Sequence, residues 1–150
     1  MSVRDNVLIG GHCRGRSGFV ANTMRLPIVG REELLLSQRA SGLLQMLELT
    51  SIADVPVSAL PFWRCKRVEL ARALAGEPKL LLLDEPAAGL AHADICELGD
   101  LIVNIRGRLG FAILLVEHHI SLVMRVSDQV VALNFGRKIG DGTPAEVQCS

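Results

Sequence analysis

The stretch Leu80-Leu81-Leu82-Leu83-Asp84-Glu85-Pro86 decides the fold class of this 150-residue chain. Four consecutive leucines predict a strand that is buried on both faces, as in a parallel sheet. Pro86 has no N–H to donate to a ladder, so we expect it to end the strand and begin a loop. Two carboxylates therefore follow a buried strand, at the edge where α/β sheets bind their ligands.

The same arrangement occurs again further along the chain, where Ile113-Leu114-Leu115-Val116 is followed by Glu117-His118-His119. If the two strands are parallel neighbours, Asp84, Glu85 and His118 lie at one edge of the sheet. A histidine at that edge can hydrogen-bond a phosphate and sense its presence. The alternative for His118 is an ordinary solvated loop histidine, and His119 is predicted to start the next helix.

An apolar strand that ends in Asp and then Glu is the Walker B pattern of nucleotide hydrolases. In that pattern the aspartate holds Mg²⁺, usually through water, and the glutamate polarises the attacking water. The alternative is a core strand whose acidic residues cap the following helix.

The apolar spacing elsewhere predicts an α/β protein with a helical first part. A short helix is expected near the start, and a loop is expected around Gly10, Gly11, Gly15 and Gly18. Further helices are predicted at 32–49, 63–75, 93–108 and 120–126, with Gly76 stopping the second and Gly110 closing the third. Strands are predicted at 80–83, 112–116, 129–133 and 138–139, and a turn is predicted at Gly140, Gly142 and Pro144. Strand–helix–strand units predict a parallel sheet with right-handed crossovers.

Composition excludes several classes of protein. Sixteen basic and sixteen acidic residues give a net charge of zero, so no overall field attracts nucleic acid or an anionic membrane. The four cysteines lie far apart, so neither a zinc site nor a disulfide framework is expected. No apolar run is long enough to span a bilayer, and the N-terminus does not have the pattern of a signal peptide. We expect a cytoplasmic protein that contacts the membrane only through a partner.

Several stretches together resemble the nucleotide-binding subunits of ABC transporters. They are Val68–Leu74 running into Leu80–Pro86, the pair Glu117-His118, and the tail formed by Ser127–Leu133 and Gly136–Pro144. The Ala87–Leu90 loop, the pair Leu60-Pro61 and the opening Ser2–Leu8 are similar to the branched-chain amino-acid importer branch. The resemblance implies a partial P-loop NTPase fold, with a helical subdomain in 1–75 that carries the signature segment and the C-terminal parallel-sheet half of the ATPase core in 76–150.

The resemblance also implies roles for particular residues. Asp84 would support Mg²⁺ through water, Glu85 would be the general base, and His118 would sense the γ-phosphate of ATP. The signature residues Leu60, Pro61, Phe62, Trp63 and Arg64 would contact ATP bound to another subunit, through a helix N-terminus that favours phosphate. The implied cofactors are ATP and Mg²⁺. The implied partners are transmembrane permease subunits and a second ATP-binding subunit, at the inner face of the cell membrane.

Some residues depart from the family pattern. Trp63 stands where the signature has glycine, Arg64 replaces glutamine, and Ala91 replaces the Asp or Asn of the D-loop. The segment Gly10–Ser17 has the G-x-x-x-x-G spacing of a Walker A loop but carries Arg where Lys belongs, so we interpret it as a glycine-rich surface loop. We therefore expect the chain alone to be inactive. If the N-terminal part of the domain is absent, the sheet loses the strand that would lie beside the all-leucine strand, which then has an unpaired edge and an uncovered face.

Two functions fit these observations. One is the ATP-hydrolysing subunit of an ABC importer, or a C-terminal fragment of one, which couples ATP hydrolysis to transport. The alternative is a catalytically inactive ABC-derived interaction module or remnant. The group Trp63, Arg64, Lys66 and Arg67 could also be interpreted as a nucleic-acid patch, but one aromatic residue and three charges at a helix start more often form a solvated face.

Overall fold

A computed structural model describes residues 1–12 and 27–149 of the chain. Contacts divide the chain into two compact units, Met1–Leu81 and Leu82–Ser150. The predicted boundary at residue 75 between a helical subdomain and an α/β half stays a prediction. Within the described part of the chain, no helix has both the length and the hydropathy needed to cross a membrane.

The first unit is helical. Its helices are α1 (Val3–His12), α2 (Pro27–Met46) and α3 (Phe62–Ala75), with 3₁₀ turns at Thr50–Ile52 and Val57–Ala59. Its apolar core contains Val3, Val7, Leu43, Leu44, Leu47, Leu49, Val68, Leu70, Ala71 and Leu74. This confirms the helical character predicted for the first part of the chain, within the residues described.

The ends of α2 and α3 follow from local backbone chemistry. Helix α3 stops at Gly76, as predicted, and the Gly76 N–H bonds to the carbonyls of Ala73 and Leu74. Helix α2 ends at Met46 rather than at residue 49 because Glu48 has a φ of 58°. That left-handed residue turns the chain, and the Leu49 N–H donates to the Leu44 carbonyl at 2.7 Å. Leu49 is therefore buried by a turn rather than by the helix.

The loop predicted at Gly10 and Gly11 is wrong, because both residues lie inside α1. Their function there is packing. A Cβ built on Gly10 would lie 2.0 Å from the Arg72 carbonyl oxygen of α3. The missing side chain lets the two helix backbones meet, which a glycine allows and other residues do not. The rest of the predicted loop, including Gly15 and Gly18, lies outside the described residues.

The second unit combines helices, a hairpin and a two-stranded sheet whose first strand begins at Leu80, just before the unit boundary. Strands β1 (Leu80–Asp84) and β2 (Ala112–Val116) are parallel neighbours joined through helix α4 (His92–Leu109), and helix α5 (Ile120–Val126) follows. Gly110 closes α4 as predicted, with a left-handed φ of 66° and its N–H on the Arg106 carbonyl. One face of the sheet packs through Leu83 and Ile113 against the core of Ala87, Ile95, Leu98, Ile102 and Leu122.

The other face of the sheet is open. Leu82 is 66% exposed, Leu114 58% and Val116 55%, whereas Leu81 is buried. The prediction that the leucine strand is buried on both faces is therefore wrong for the described chain. Side chains alternate across a strand, and among residues 1–12 and 27–149 a packed helix layer meets only one side of this strand. The exposure agrees with the expectation of an uncovered face.

The C-terminal region differs from its prediction. Strands β3 (Val130–Asn134) and β4 (Arg137–Gly142) form an antiparallel hairpin, in which Ala132 pairs with Gly140 and Val130 with Gly142. The two glycines are thus strand residues and do not form a turn, because ladder pairing holds them extended. Pro144 starts helix α6 (Pro144–Gln148), where fixed φ suits the first helical turn.

Gly10→Ala tests the helix contact in the first unit. We expect a loss of about 1–3 kcal/mol in the free energy of unfolding, since the new methyl group would meet a backbone carbonyl that cannot rotate away. Gly42→Ala is the matched control, because nothing lies within 4 Å of its Cβ position in α2. It should stabilise the protein by about 1 kcal/mol through helix propensity. Urea unfolding measures both, and equal midpoints for Gly10→Ala and wild type would contradict the packing role.

Thr143→Ala tests the capping box of α6. The Thr143 backbone N–H and hydroxyl both bond to Glu146 Oε2 at 2.8 Å, and they hold the pKa of the Glu146 carboxyl below its ordinary value. Removing the hydroxyl should raise that pKa part of the way, since the backbone bond, which is the larger cause, stays. Because the pKa is lowered in the folded state, the cap stabilises above the unfolded pKa and is lost as pH falls through the folded one.

A carbon-detected NMR titration of the Glu146 carboxyl gives this pKa directly. Asp141 is the internal reference, because its own lowered pKa comes from Lys138 and Gln129 and should not change. A Glu146 pKa that is equal in wild type and variant would show that the hydroxyl bond contributes nothing.

Candidate functional site

The carboxyl ends of β1 and β2 bring together the residues singled out in the sequence. Asp84 ends β1 and Glu85 follows it, while Glu117 and His118 follow β2. The parallel pairing continues one residue past β1, because the Glu85 N–H donates to the Val116 carbonyl at 2.8 Å. The two loops therefore leave the sheet side by side at the edge where such folds bind ligands.

Glu85 has an unusual backbone. Its φ is 45°, in the left-handed region that non-glycine residues rarely adopt. Its N–H is bound to Val116, and its carbonyl accepts from the Ala88 N–H at 3.0 Å. Such a conformation costs of order 1–3 kcal/mol and persists only where the surroundings fix it. The turn places the Glu85 carboxylate at the surface, with 54% of the side chain exposed.

Glu85 and His118 are close enough to interact. The His118 Nδ1 lies 3.7 Å from Glu85 Oε1, and the imidazole is 62% exposed. The His118 ring also contacts the His119 ring, with centroids 4.4 Å apart. A carboxylate and an imidazole that share a solvent-accessible edge can accept a proton from water and donate a hydrogen bond to an anion. His119 precedes α5 as its N-cap residue, as predicted.

Sequence reasoning assigned no role to Glu117, although the structure places it at the centre of the site. Its side chain is 0% exposed, and its Oε1 accepts from the Ala87 N–H at 2.8 Å. Its Oε2 accepts from the N–H groups of His118 and His119 at 3.2 and 3.4 Å. The sequence did contain a signal for a role of Glu117. An acidic residue directly follows an apolar strand there, at a position where a solvated loop does not require one.

The donor set fits a magnesium ion that is shared with phosphates. No three His, Cys, Asp or Glu side chains converge on a point anywhere in the described ranges 1–12 and 27–149. Mg²⁺ does not need such a cage, since it keeps several waters and takes one or two carboxylates together with substrate phosphates. Asp84 is an exposed carboxylate at the strand end and can serve as one of these ligands, directly or through water.

The signature segment lies in the first unit, at the start of α3. Pro61 is the N-cap residue and offers no side-chain hydrogen bond. Two guanidinium groups lie over the Trp63 ring, that of Arg64 at 5.0 Å and that of Arg67 at 5.1 Å from the ring centroid. Phe62 is 54% exposed, and Lys66 lies over its ring at 5.4 Å. The helix start therefore presents cations held on aromatic faces rather than open glycine backbone.

Ala91 is the N-cap residue of α4 and makes no side-chain cap bond there. An Asp or Asn at this position could accept a hydrogen bond from the first turn. The Ala91 side chain thus supplies no capping group at the start of α4.

Comparison with known proteins agrees with these features. The sequence profile described as "ABC transporter" matches residues 1–88. The chain is 33% identical over 148 residues to the high-affinity branched-chain amino acid transport ATP-binding protein BraF of Pseudomonas aeruginosa, covering 99% of this chain and 58% of that protein. It is 33% identical, with the same coverage, to LivG of Escherichia coli strain K12, which carries the same description.

Comparison with solved structures gives the same family. The ADP conformation of MJ1267, an ATP-binding cassette of an ABC transporter, superposes with a TM-score of 0.79 at 27% identity, covering 99% of this chain and 57% of that one. The cbiO1 protein of Clostridium perfringens, part of the ABC transporter complex cbiONQ, gives 0.78 at 33% identity, with 99% and 53% covered. The chain thus spans somewhat over half the length of these relatives.

The predicted fold class and the predicted family are both confirmed by these matches. A parallel sheet that delivers Asp84-Glu85 and Glu117-His118 to one edge, in a chain matched along its length by ATP-binding cassettes, shows that this protein belongs to the ABC transporter family.

Proposed function

We propose that the chain is an ATP-binding and ATP-hydrolysing part of an ABC importer, and that it couples hydrolysis to transport across the membrane. The observation that carries this proposal is the meeting of Glu85 and His118, 3.7 Å apart, at the carboxyl edge of parallel strands. General-base chemistry requires a carboxylate that reaches water, and phosphate sensing requires a hydrogen-bond donor beside it.

In the proposed mechanism Glu85 accepts a proton from the attacking water. Its carboxylate is exposed, while its backbone is fixed by the bonds to Val116 and Ala88. His118 donates a hydrogen bond to the γ-phosphate, so its loop senses whether that phosphate is present. Asp84 would hold Mg²⁺ through water, and the ion, when bound, neutralises charge on the phosphates. The residues of this chain thus supply proton acceptance, orientation and phosphate contact.

The wider assembly is also part of the proposal. The residues 60–64 would face ATP held by a second ATP-binding subunit, and the two subunits would act on transmembrane permease subunits at the inner face of the cell membrane. The names of the relatives support branched-chain amino acids as the transported class. In this arrangement residues 1–75 form the helical subdomain and residues 76–150 the C-terminal half of the ATPase core. Neither nucleic acid nor direct membrane insertion is part of the proposed function.

A second candidate function rests on the aromatic–cation cluster at the signature. Trp63 stands where the family keeps glycine, with two guanidinium groups over its ring, and bulk there opposes close approach of a phosphate to the backbone. This favours a catalytically inactive module that docks on a permease or pairs with a complete subunit.

Glu85→Gln tests the general base. In the purified transporter that contains this chain, we expect turnover to fall by about 100-fold or more while ATP still binds, since Gln keeps the size of the side chain but cannot accept the proton. ATP turnover and binding of radiolabelled ATP measure the two effects. Glu97→Gln, an exposed position on α4, makes the same chemical change away from the site and should have no effect. Wild-type turnover in Glu85→Gln would rule out the assignment.

Trp63→Gly separates the two candidate functions. If the signature works but is obstructed, turnover of the assembly should rise about tenfold, equivalent to about 1.4 kcal/mol of transition-state stabilisation. Trp63→Phe is the control, because it keeps an aromatic ring and should give no gain. If turnover is absent in all three proteins while the chain still protects the permease from proteolysis, the inactive module is the better description.

A further inference from the structure

The Glu117 carboxylate is buried, and the residues on either side of it in the sequence do not explain this burial. It follows an apolar strand and precedes two exposed or half-exposed histidines, yet none of its side chain reaches solvent. Isolated carboxylates are strongly disfavoured in such surroundings unless hydrogen bonds replace the water that they lose. Here the three donors are all backbone N–H groups, from Ala87, His118 and His119.

We propose that Glu117 is a positioning residue, a carboxylate clamp that joins the loop of Glu85 to the loop of His118 and fixes the two relative to each other. The inference rests on the proposed function, because it concerns the residues that function uses. It adds a third acidic residue to the site, with a role that requires no contact with ATP.

On the first loop, the clamp acts through Ala87. This residue is fully buried in the core of the second unit, and its N–H points at Glu117 Oε1 from 2.8 Å. The turn that contains Glu85 is therefore tied to the β2 side at two points, the Glu85 N–H on the Val116 carbonyl and the Ala87 N–H on Glu117. Two hydrogen bonds across one short turn can hold the left-handed backbone of Glu85, whereas a single hydrogen bond would leave it free to relax.

On the second loop, the clamp acts on the backbone of the sensor itself. The N–H groups of His118 and His119 share Glu117 Oε2, so the chain folds around its own carboxylate as it leaves β2. The His118 Nδ1 lies 4.0 Å from the same Oε2 and 3.7 Å from Glu85 Oε1. One oxygen of Glu117 thus fixes the sensor loop, and the other fixes the base loop.

The carboxylate is better suited to this role than its amide analogue. An ionised carboxylate only accepts hydrogen bonds, whereas a Gln amide has one accepting oxygen and one donating NH₂ group. In either orientation of the amide, the NH₂ group of a Gln at position 117 would face the N–H donors of one loop. Glu117→Gln should therefore release one of the two loops without a large change in volume, and charge-assisted bonds would become neutral ones.

The test is amide hydrogen exchange by NMR on the full chain labelled with ¹⁵N, in wild type, Glu117→Gln and Glu97→Gln. We expect exchange in Glu117→Gln to accelerate about tenfold or more at Ala87 or at His118 and His119, while amides in α4 keep their protection. Glu97→Gln should match wild type at Ala87, His118 and His119. Glu117→Asp, which keeps the charge but shortens the reach, is the second variant and should accelerate exchange at Ala87 more than Glu97→Gln does.

Exchange that rises equally in α4 and in the two loops would show a role in global stability only and would overturn the proposal. Unchanged exchange at Ala87, His118 and His119 would overturn it as well. Both exchange results can be interpreted whether or not the assembled transporter hydrolyses ATP. A failure of the clamp proposal can therefore be distinguished from a failure of the proposed function.

Turnover of the assembled transporter supplies the functional half of the test. With a working wild type, Glu117→Gln should lower kcat about tenfold and change the KM for ATP less than it changes kcat, because Glu117 positions Glu85 and His118 and does not itself contact nucleotide. A kcat equal to wild type, with the loops released, would overturn the link between clamp and catalysis. A wild type without turnover would instead reject the proposed function, and the exchange data alone would then decide on the clamp.

Discussion

The hydrogen bond from the Glu85 N–H to the Val116 carbonyl, at 2.8 Å, is the constraint on which the second unit depends. It extends the β1–β2 pairing beyond the last residue of β1 and sets the distance between the two loops. Below it, Leu83 and Ile113 anchor the strands to the core formed with α4 and α5. Above it, Glu117 holds the loop backbones. The site is thus built on a rigid apolar base and closed by a few polar bonds, which is how a fold holds reactive side chains at a solvent-exposed edge.

The aromatic–cation cluster of the first unit is held together in a different way, by contacts within one helix. The cluster consists of Trp63 and the arginines one and four residues further along the same helix, so α3 alone is enough to form it. Arg67 also reaches Glu48 at 2.7 Å, which links the cluster to the turn after α2. Local contacts therefore accommodate the bulky Trp63 side chain at this helix start. Such contacts stabilise a helix start without regard to whether a phosphate can approach it.

Sequence periodicity predicted much of this structure because the signals were local. Apolar runs with clear stops gave α3, α4, β2 and α5 to within a residue or two, and the Asp-Glu and Glu-His pairs gave the edge of the sheet. The errors came where distant contacts decide. Gly10 is in a helix because α3 approaches it, and Gly140 is in a strand because Ala132 pairs with it. Leu82 is exposed because no layer from the described part of the chain covers that face of the sheet. Glu117 was missed for the same reason, since its partner Ala87 lies thirty residues away along the chain.

The left-handed backbone of Glu85 has a consequence for how this family member can change. At that φ a glycine would relieve strain, and asparagine would tolerate it better than glutamate does. Folding stability alone therefore favours glycine over glutamate at this position. Keeping a glutamate there means accepting a less stable turn in exchange for a carboxylate at the edge of the sheet. A lineage that no longer needed the carboxylate could replace Glu85 by glycine and gain stability in the turn.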